Sequence, residues 1–198
     1  MNPDLKAEAI ATFIGLLDEA RAAGDPEPTA MTVATVGADG RISARVVLLK
    51  EVDERGFVFY TNTLSRKGRA LAVEPQAALL FHWKTLRDQV QVRIEGSVAP
   101  VTAQEADAYF ASRPRESQLG AWASLQSEPL AERAVFEARY AQFEQQFADG
   151  PVPRPPHWSG YRVAPEAFEF WYGVPFRLHE RRVYRLQEGI WSKGLLYP

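Results

Sequence analysis

The sequence predicts a mainly β fold with flanking helices (α+β), built around an antiparallel barrel. Three observations predict it. Five stretches rich in β-branched residues crowd between Met31 and Val98, most of them joined by short turns. The turn pairs Asp39-Gly40 and Arg55-Gly56 separate neighbouring stretches, as hairpins require. The long helical periodicities lie outside this block, at the N-terminus and after Thr102.

Leu5, Ala9, Phe13, Leu16, Leu17 and Ala20 recur at helical spacing, and Gly24 follows as a stop. This predicts an N-terminal helix over 4–23 docked on the core. Asp25 to Thr29 contains two prolines and reads as a loop. Strands are expected at Met31–Val36, Ile42–Val52 and Phe57–Thr61. Ser65 caps a short helix, Arg66–Val73, which Pro75 closes. Ala77–Trp83 and Gln89–Val98 supply two more strands. Thr102 and Glu105 form a capping-box pattern for a helix at Ala103–Ser112. Leu130–Phe147 reads as a longer helix with Val135, Phe136, Tyr140, Phe143 and Phe147 on or near one face. The two make a helical insertion over about 103–149. Pro151–Pro156 is expected to be extended. Strand pattern returns over 160–197, at Tyr161–Val163, Ala167–Tyr172, Arg182–Leu186 and Ile190–Leu196. All 198 residues are read as one domain.

Composition narrows the chemistry. Hydrophobic residues make up 46% and charged residues 24%, an ordinary globular balance. A net charge of −2 gives no global attraction to nucleic acid or to an anionic membrane. An anion site must therefore be assembled locally. The absence of cysteine excludes disulfides, thiolate nucleophiles and Cys-ligated metals, and fits a cytoplasmic location. His82, His157 and His179 have no ligand spacing, so no metal site is expected. No apolar run spans a bilayer, and Met1 to Lys6 shows no signal-peptide pattern. Rossmann and P-loop glycine patterns are missing.

Cations and hydroxyls gather at strand and helix ends instead. In Arg45-Val46-Val47-Leu48-Leu49-Lys50, alternation sends Arg45, Val47 and Leu49 to one face and Val46, Leu48 and Lys50 to the other. A charge at each strand exit is also ordinary. Tyr60-Thr61-Asn62 precedes Ser65-Arg66-Lys67, which puts two cations at a helix N-terminus; the alternatives are an anion between them or a solvated basic turn. Ser112-Arg113-Pro114-Arg115-Glu116-Ser117-Gln118 gathers arginines and serines on one expected loop after Tyr109, suited to phosphate. If Arg177-Leu178-His179-Glu180-Arg181 is extended, Arg177, His179 and Arg181 share a face, with Trp171 upstream to stack on a flat ring. Together these describe two phosphate-sized sites and a flat aromatic ligand.

The chain resembles the pyridoxamine/pyridoxine 5′-phosphate oxidases. The resemblance rests on Arg-Val-Val-Leu-Leu-Lys (45–50), Phe-Tyr-Thr-Asn (59–62), Ser-Arg-Lys (65–67), Arg-Asp-Gln-Val (87–90), the run from Tyr109 to Trp122, Gln-Ser (126–127), Glu-Phe-Trp (169–171) and Arg-Leu-His-Glu-Arg (177–181). It implies an antiparallel, Greek-key-like split β-barrel, working as a homodimer with flavin mononucleotide (FMN) at the subunit interface. It implies flavin contacts from Arg45, Val46, Val47, Leu48, Leu49, Lys50, Tyr60, Thr61, Arg66, Lys67, Gln89, Gln126, Ser127, Trp171 and Arg181. It assigns the substrate phosphate to Lys50, Tyr109, Arg113 and Ser117, and the substrate ring to Arg177, Leu178 and His179, with Arg177 and His179 nearest the chemistry.

The implied reaction removes a hydride from C4′ of pyridoxamine or pyridoxine 5′-phosphate. It yields pyridoxal 5′-phosphate while O2 is reduced to H2O2. The family's usual N-terminal segment, with an arginine and a tyrosine over the substrate, is expected to be absent or truncated here. Leu195-Leu196-Tyr197-Pro198 stands where the family tends to end Arg-Leu-x-Pro. Two other readings are a related flavin oxidase of a different substrate, such as a phenazine precursor, and a non-catalytic flavin or pyridoxal phosphate binder.

Overall fold

The computed structural model describes residues 4–198; residues 1–3, on which the reading of the extreme N-terminus partly rests, lie outside the described residues. Helix α1 (Leu5–Ala22) is capped by Asp4, whose carboxylate accepts from the Ala7 amide at 3.1 Å. It turns Ala9, Phe13, Leu16, Leu17 and Ala20 inward, as its spacing predicts. Phe13 meets Phe57, Phe81 and Trp83 at ring-centroid distances of 4.9, 4.8 and 5.9 Å. Burying such a ring contributes about 2–3 kcal/mol.

Among the described residues the sheet has nine strands. β1 (Ala30–Val36) and β2 (Ile42–Leu48) form the first hairpin, and Gly40 at φ +73° supplies its left-handed turn residue. The expected strand Ile42–Val52 is two strands. Leu49 N still bonds Thr29 O, but Lys50 N bonds Val58 O, so the chain changes neighbours at this corner. β3 (Glu51–Asp53) then pairs with β4 (Gly56–Asn62). Lys50 is thereby left exposed at a bend. Helix α2 (Arg66–Val73) leads into β5 (Gln76–Trp83) and β6 (Val90–Pro100). The core faces of β1, β4, β5 and β6 bury Met31, Val33, Phe57, Phe59, Leu79, Phe81, Val90, Val92 and Ile94 at a period of two, against α1.

Tyr161–Val163 and Ala167–Tyr172, expected as separate strands, belong to one 15-residue strand, β7 (Trp158–Tyr172). Pro165 is accommodated because the register against β6 shifts between Glu95 and Gly96, where a Cβ on Gly96 would stand 1.9 Å from Ala164 O. β7 keeps β6 on one side from Tyr161 to Tyr172. On its other side the first half pairs with β4 and the second half with β8 (Glu180–Gln187), which carries β9 (Ile190–Leu196). This fork splits the antiparallel barrel.

Three helices lie between β6 and β7. α3 (Ala103–Ser112) has the complete Thr102/Glu105 capping box. α4 (Arg115–Ala123) occupies a stretch expected to be part loop, and α5 (Arg133–Gln146) starts three residues later than expected. Val135 is exposed on α5, while Phe136, Tyr140 and Phe143 are half-buried. Charges fasten α3 to the sheet. Arg162 bonds Asp53 at 2.7 Å and Glu105 at 3.0 Å, and Arg55 reaches Asp53 and Glu105 as well. The Thr102 amide and hydroxyl, helped by Arg162, hold the Glu105 carboxyl down at about 2.

Candidate functional site

A cleft of about 770 Å³ opens between the β2–β3 corner, the end of β4, and helices α3 and α4. Lys50, Tyr60, Thr61, Tyr109, Arg113, Ser117 and Gln126 line it, and no aspartate or glutamate does. Among the described residues, no carboxylate lies within 4.0 Å of Arg45, Lys50, Arg66, Lys67, Arg113 or Arg177. Several other surface arginines of this chain do have such partners.

At the inner end, Ser65 caps α2 and brings Lys67 back over the end of β4. Lys67 is only 8% exposed. Its ammonium donates to Thr61 Oγ1 at 2.8 Å, Gln126 Oε1 at 2.7 Å and Ser65 Oγ at 3.2 Å, all neutral oxygens. Burial, and then the nearby Arg45, pull its pKa to about 8. Arg45 donates to Val33 O, Thr35 Oγ1 and Ser43 Oγ, and burial followed by the Arg66 charge lowers its pKa. Three cations thus converge with no counter-ion, an arrangement that destabilises the fold unless an anion joins it. Asn62 ties down the other side by donating to Ser124 O at 3.3 Å, next to Gln126 and to Ser127, whose φ is +76°.

The outer wall is aromatic and cationic. Tyr60, Tyr109 and Trp158 lie nearly parallel, with Tyr60–Tyr109 centroids 4.1 Å apart and Tyr60–Trp158 5.3 Å apart. Arg113 stacks over Trp158 at 4.9 Å. Its NH1 nitrogen is buried with no hydrogen-bond partner, and burial lowers the guanidinium pKa. Ser112–Gln118 is not the expected single loop: α4 begins at Arg115, which places Ser117 in its first turn. Arg115 does not join Arg113, because its guanidinium turns away to Phe147 O and Gly150 O.

Gln89, Trp171, Arg177, Leu178, His179 and Arg181 are absent from this cleft. Trp171 lies at the far end of β7 from Trp158, across roughly 40 Å of extended chain at 3.3 Å per residue. Trp171 and Arg181 line a separate recess. The expectation that Arg177, His179 and Arg181 share a strand face is corrected here. β8 starts at Glu180, and Arg177 ends a 3-10 turn (Pro175–Arg177) in which Phe176 and Arg177 take φ +61° and +63°. His179 packs against Trp171 with ring centroids 4.5 Å apart and planes tilted by 40°, and its Nδ1 accepts from the Val174 amide at 3.2 Å. A ring nitrogen that accepts is unprotonated, so the neutral ring carries its hydrogen on Nε2. Arg181 donates to Glu169 at 2.8 Å and to Tyr197 O at 2.9 Å. Gln89, at φ +85°, pairs with His82 at 3.2 Å, and its carbonyl accepts from Gly173 N at this same end of β7.

A family model described as pyridoxamine 5′-phosphate oxidase matches residues 16–147, and one for the pyridoxine 5′-phosphate oxidase C-terminal dimerisation region matches residues 158–198. The chain belongs to the pyridoxamine 5′-phosphate oxidase family. It is 59% identical over 197 residues to the pyridoxine/pyridoxamine 5′-phosphate oxidase of Xanthomonas euvesicatoria pv. vesicatoria, covering 98% of this chain and 99% of that one. Its identity to the protein of the same name from Myxococcus xanthus is 58%, over 96% of this chain and 92% of that one. Among solved structures, PhzG from Burkholderia lata 383, in complex with tetrahydrophenazine-1-carboxylic acid, superposes with a TM-score of 0.83 at 34% identity, covering 93% and 92% of the two chains. The structural likeness confirms the family's split barrel. Trp158 frames the cleft without having been singled out in sequence, and Asn62, Gln118 and Glu169 stood in the quoted motifs with no role assigned to them. Their signal is the partner each one holds, which only the folded chain displays.

Proposed function

We propose that this chain is an FMN-dependent oxidase of pyridoxamine and pyridoxine 5′-phosphate. The observation that carries this reading is the acid-free cleft lined by Lys50 and Arg113, with a second group of cations lacking carboxylate partners set behind its Thr61 and Gln126. This second group is Arg45, Arg66 and Lys67; the first is Lys50 and Arg113, with Ser117 beside them. Each suits a phosphate, and the orphaned Arg113 NH1 is a buried donor in want of an acceptor. Bound FMN would supply the hydride acceptor, and O2 would reoxidise it with release of H2O2.

Lys67, Arg66 and Arg45 would neutralise the flavin phosphate, while Thr61, Gln126 and Ser127 add hydrogen-bonding groups around it. The segment Val46–Leu49, the end of β2 and the residue after it, would lie along the flavin, with Tyr60 beside it. Lys50, Tyr109, Arg113 and Ser117 would hold the substrate phosphate, so that binding energy far from C4′ positions the reacting carbon. Gln89, Trp171, Arg177, Leu178, His179 and Arg181 gather at the other end of β7 from Trp158 and do not line this cleft. We infer a homodimer in which the partner's Gln89, Trp171 and Arg181 complete the flavin site. The partner's Arg177, Leu178 and His179 would then cover the substrate ring. The match to a dimerisation region over 158–198 supports this arrangement. Arg177 would supply fixed positive charge near the reacting centre, and the Nε2 hydrogen of His179 a directed donor.

The likeness to PhzG favours a second reading, oxidation of a phenazine precursor that lacks phosphate. Lys50, Arg113 and Ser117 in the cleft weigh against it. Peroxide release by FMN-loaded protein decides between them: turnover of pyridoxamine or pyridoxine 5′-phosphate supports the proposal, and turnover of neither overturns it.

A further inference from the structure

We propose that Gln118 is a positioning residue: it fixes the α3–α4 corner so that Arg113 and the first turn of α4 face a phosphorylated substrate. This rests on the reading of the cleft as the substrate-phosphate site. Gln118 lies in α4 and is only 8% exposed. Its side-chain nitrogen stands 3.0 Å from Phe110 O, 3.2 Å from Ala111 O and 3.1 Å from Arg113 O. The last carbonyls of a helix have no partner within it. One amide from the next helix therefore gathers the carbonyl end of α3 and the corner itself.

The corner needs such a device. Pro114 has no N–H to donate, and the Arg113 amide makes a 3.2 Å contact with Phe110 O. The Gln118 backbone holds the same corner from its far side, donating to Pro114 O at 3.0 Å. Arg113 reaches the cleft from this backbone, with its guanidinium over Trp158 and Phe110 and NH1 left without a partner. A shift of the corner by even an ångström re-aims that nitrogen, while Lys67, Thr61 and Gln126 stay fixed at the other end of the cleft.

The test is a double-substitution cycle on the FMN-loaded full chain. Gln118→Met keeps side-chain length and removes both donors. It is expected to raise KM for pyridoxamine 5′-phosphate about 10-fold, with kcat and flavin affinity within about twofold of wild type. In an Arg113→Ala background the same change should add nothing further to KM, because Gln118 acts through Arg113. An unchanged KM, or an equal rise in both backgrounds, would overturn the proposal, as would a loss of flavin affinity matching the rise in KM. If Gln118→Met does not fold, Gln118→Asn, one methylene short of the carbonyls, must show the same pattern. Titration of inorganic phosphate followed by 31P NMR needs no turnover. If wild type turns over neither vitamer, the functional reading fails, and Gln118 is then judged by whether Gln118→Met weakens phosphate binding in wild type but not in Arg113→Ala.

Discussion

Replacing Lys67 with methionine should weaken flavin binding without lowering flavin-free stability. The Lys67 pKa falls from 10.5 to about 8 on folding, chiefly because burial penalises its charge. A folded pKa below the unfolded one means that the unfolded chain binds more protons between those values, so this group's penalty is complete below pH 8 and fades as pH rises toward 10.5. The penalty is about 3 kcal/mol at neutral pH. Methionine removes it but also forfeits the hydrogen bonds to Thr61, Ser65 and Gln126, at about 1 kcal/mol each. Flavin-free Lys67→Met should therefore melt at the wild-type temperature or slightly above.

Its affinity for FMN should fall roughly 10- to 100-fold, the worth of one charge-assisted contact to phosphate. Wild-type affinity should be greatest below pH 8 and weaken as pH rises past it, because binding the phosphate requires the ammonium form. Quenching of FMN fluorescence, titrated at pH 7 and pH 9.5, measures both effects. Equal affinities at the two pH values, or a Lys67→Met protein that binds FMN as wild type does, would refute the reasoning.

Arg113→Ala should raise KM for pyridoxamine 5′-phosphate by roughly 10- to 100-fold while leaving the melting temperature nearly unchanged, since the lost NH1 has no protein partner; steady-state kinetics and calorimetry check this. At FMN concentrations too low to load Lys67→Met, mixing Lys67→Met subunits with His179→Ala subunits should raise activity above that of either variant alone, because a mixed dimer contains one intact composite site; a mixture no more active than its parents would contradict the shared site. Acid should loosen the α3 attachment. Glu105 is held at about 2, so its stabilising contribution is present above its ordinary value of 4.5 and is lost as pH falls toward 2. Glu105→Gln should flatten that part of a stability-against-pH curve measured by denaturant unfolding.

Local patterns carried most of the fold. The period of two in Met31–Val36 and Ala77–Trp83 and the spacing of Phe13, Leu16 and Leu17 reappear as buried faces because burial alone fixes them. Departures arise where a distant partner decides. β2 and β3 separate at Leu49-Lys50 because β4 takes over the backbone bonds, which no local residue signals. α4 went unread because Pro114 and four polar residues precede its buried Leu119 and Ala123. The turn at Phe176-Arg177 has positive φ without glycine or asparagine, so the chain gives no cue that Arg177 and His179 leave the strand.

The site was legible as motifs rather than as geometry. Thr61 and Gln126 are 65 residues apart, and only the fold shows Lys67 bridging them. The motifs also gave no sign that Trp158 and Trp171 sit at opposite ends of one strand, which is the observation that calls for a second subunit.

The central claim is that this cleft passes electrons from a phosphorylated vitamer to bound FMN. Its most direct measurement is the visible absorption spectrum of the FMN-loaded protein, recorded without oxygen, before and after addition of pyridoxamine 5′-phosphate. The account predicts that the oxidised flavin band bleaches on mixing and returns, with peroxide, when air is admitted. A band unchanged by both pyridoxamine and pyridoxine 5′-phosphate would contradict it.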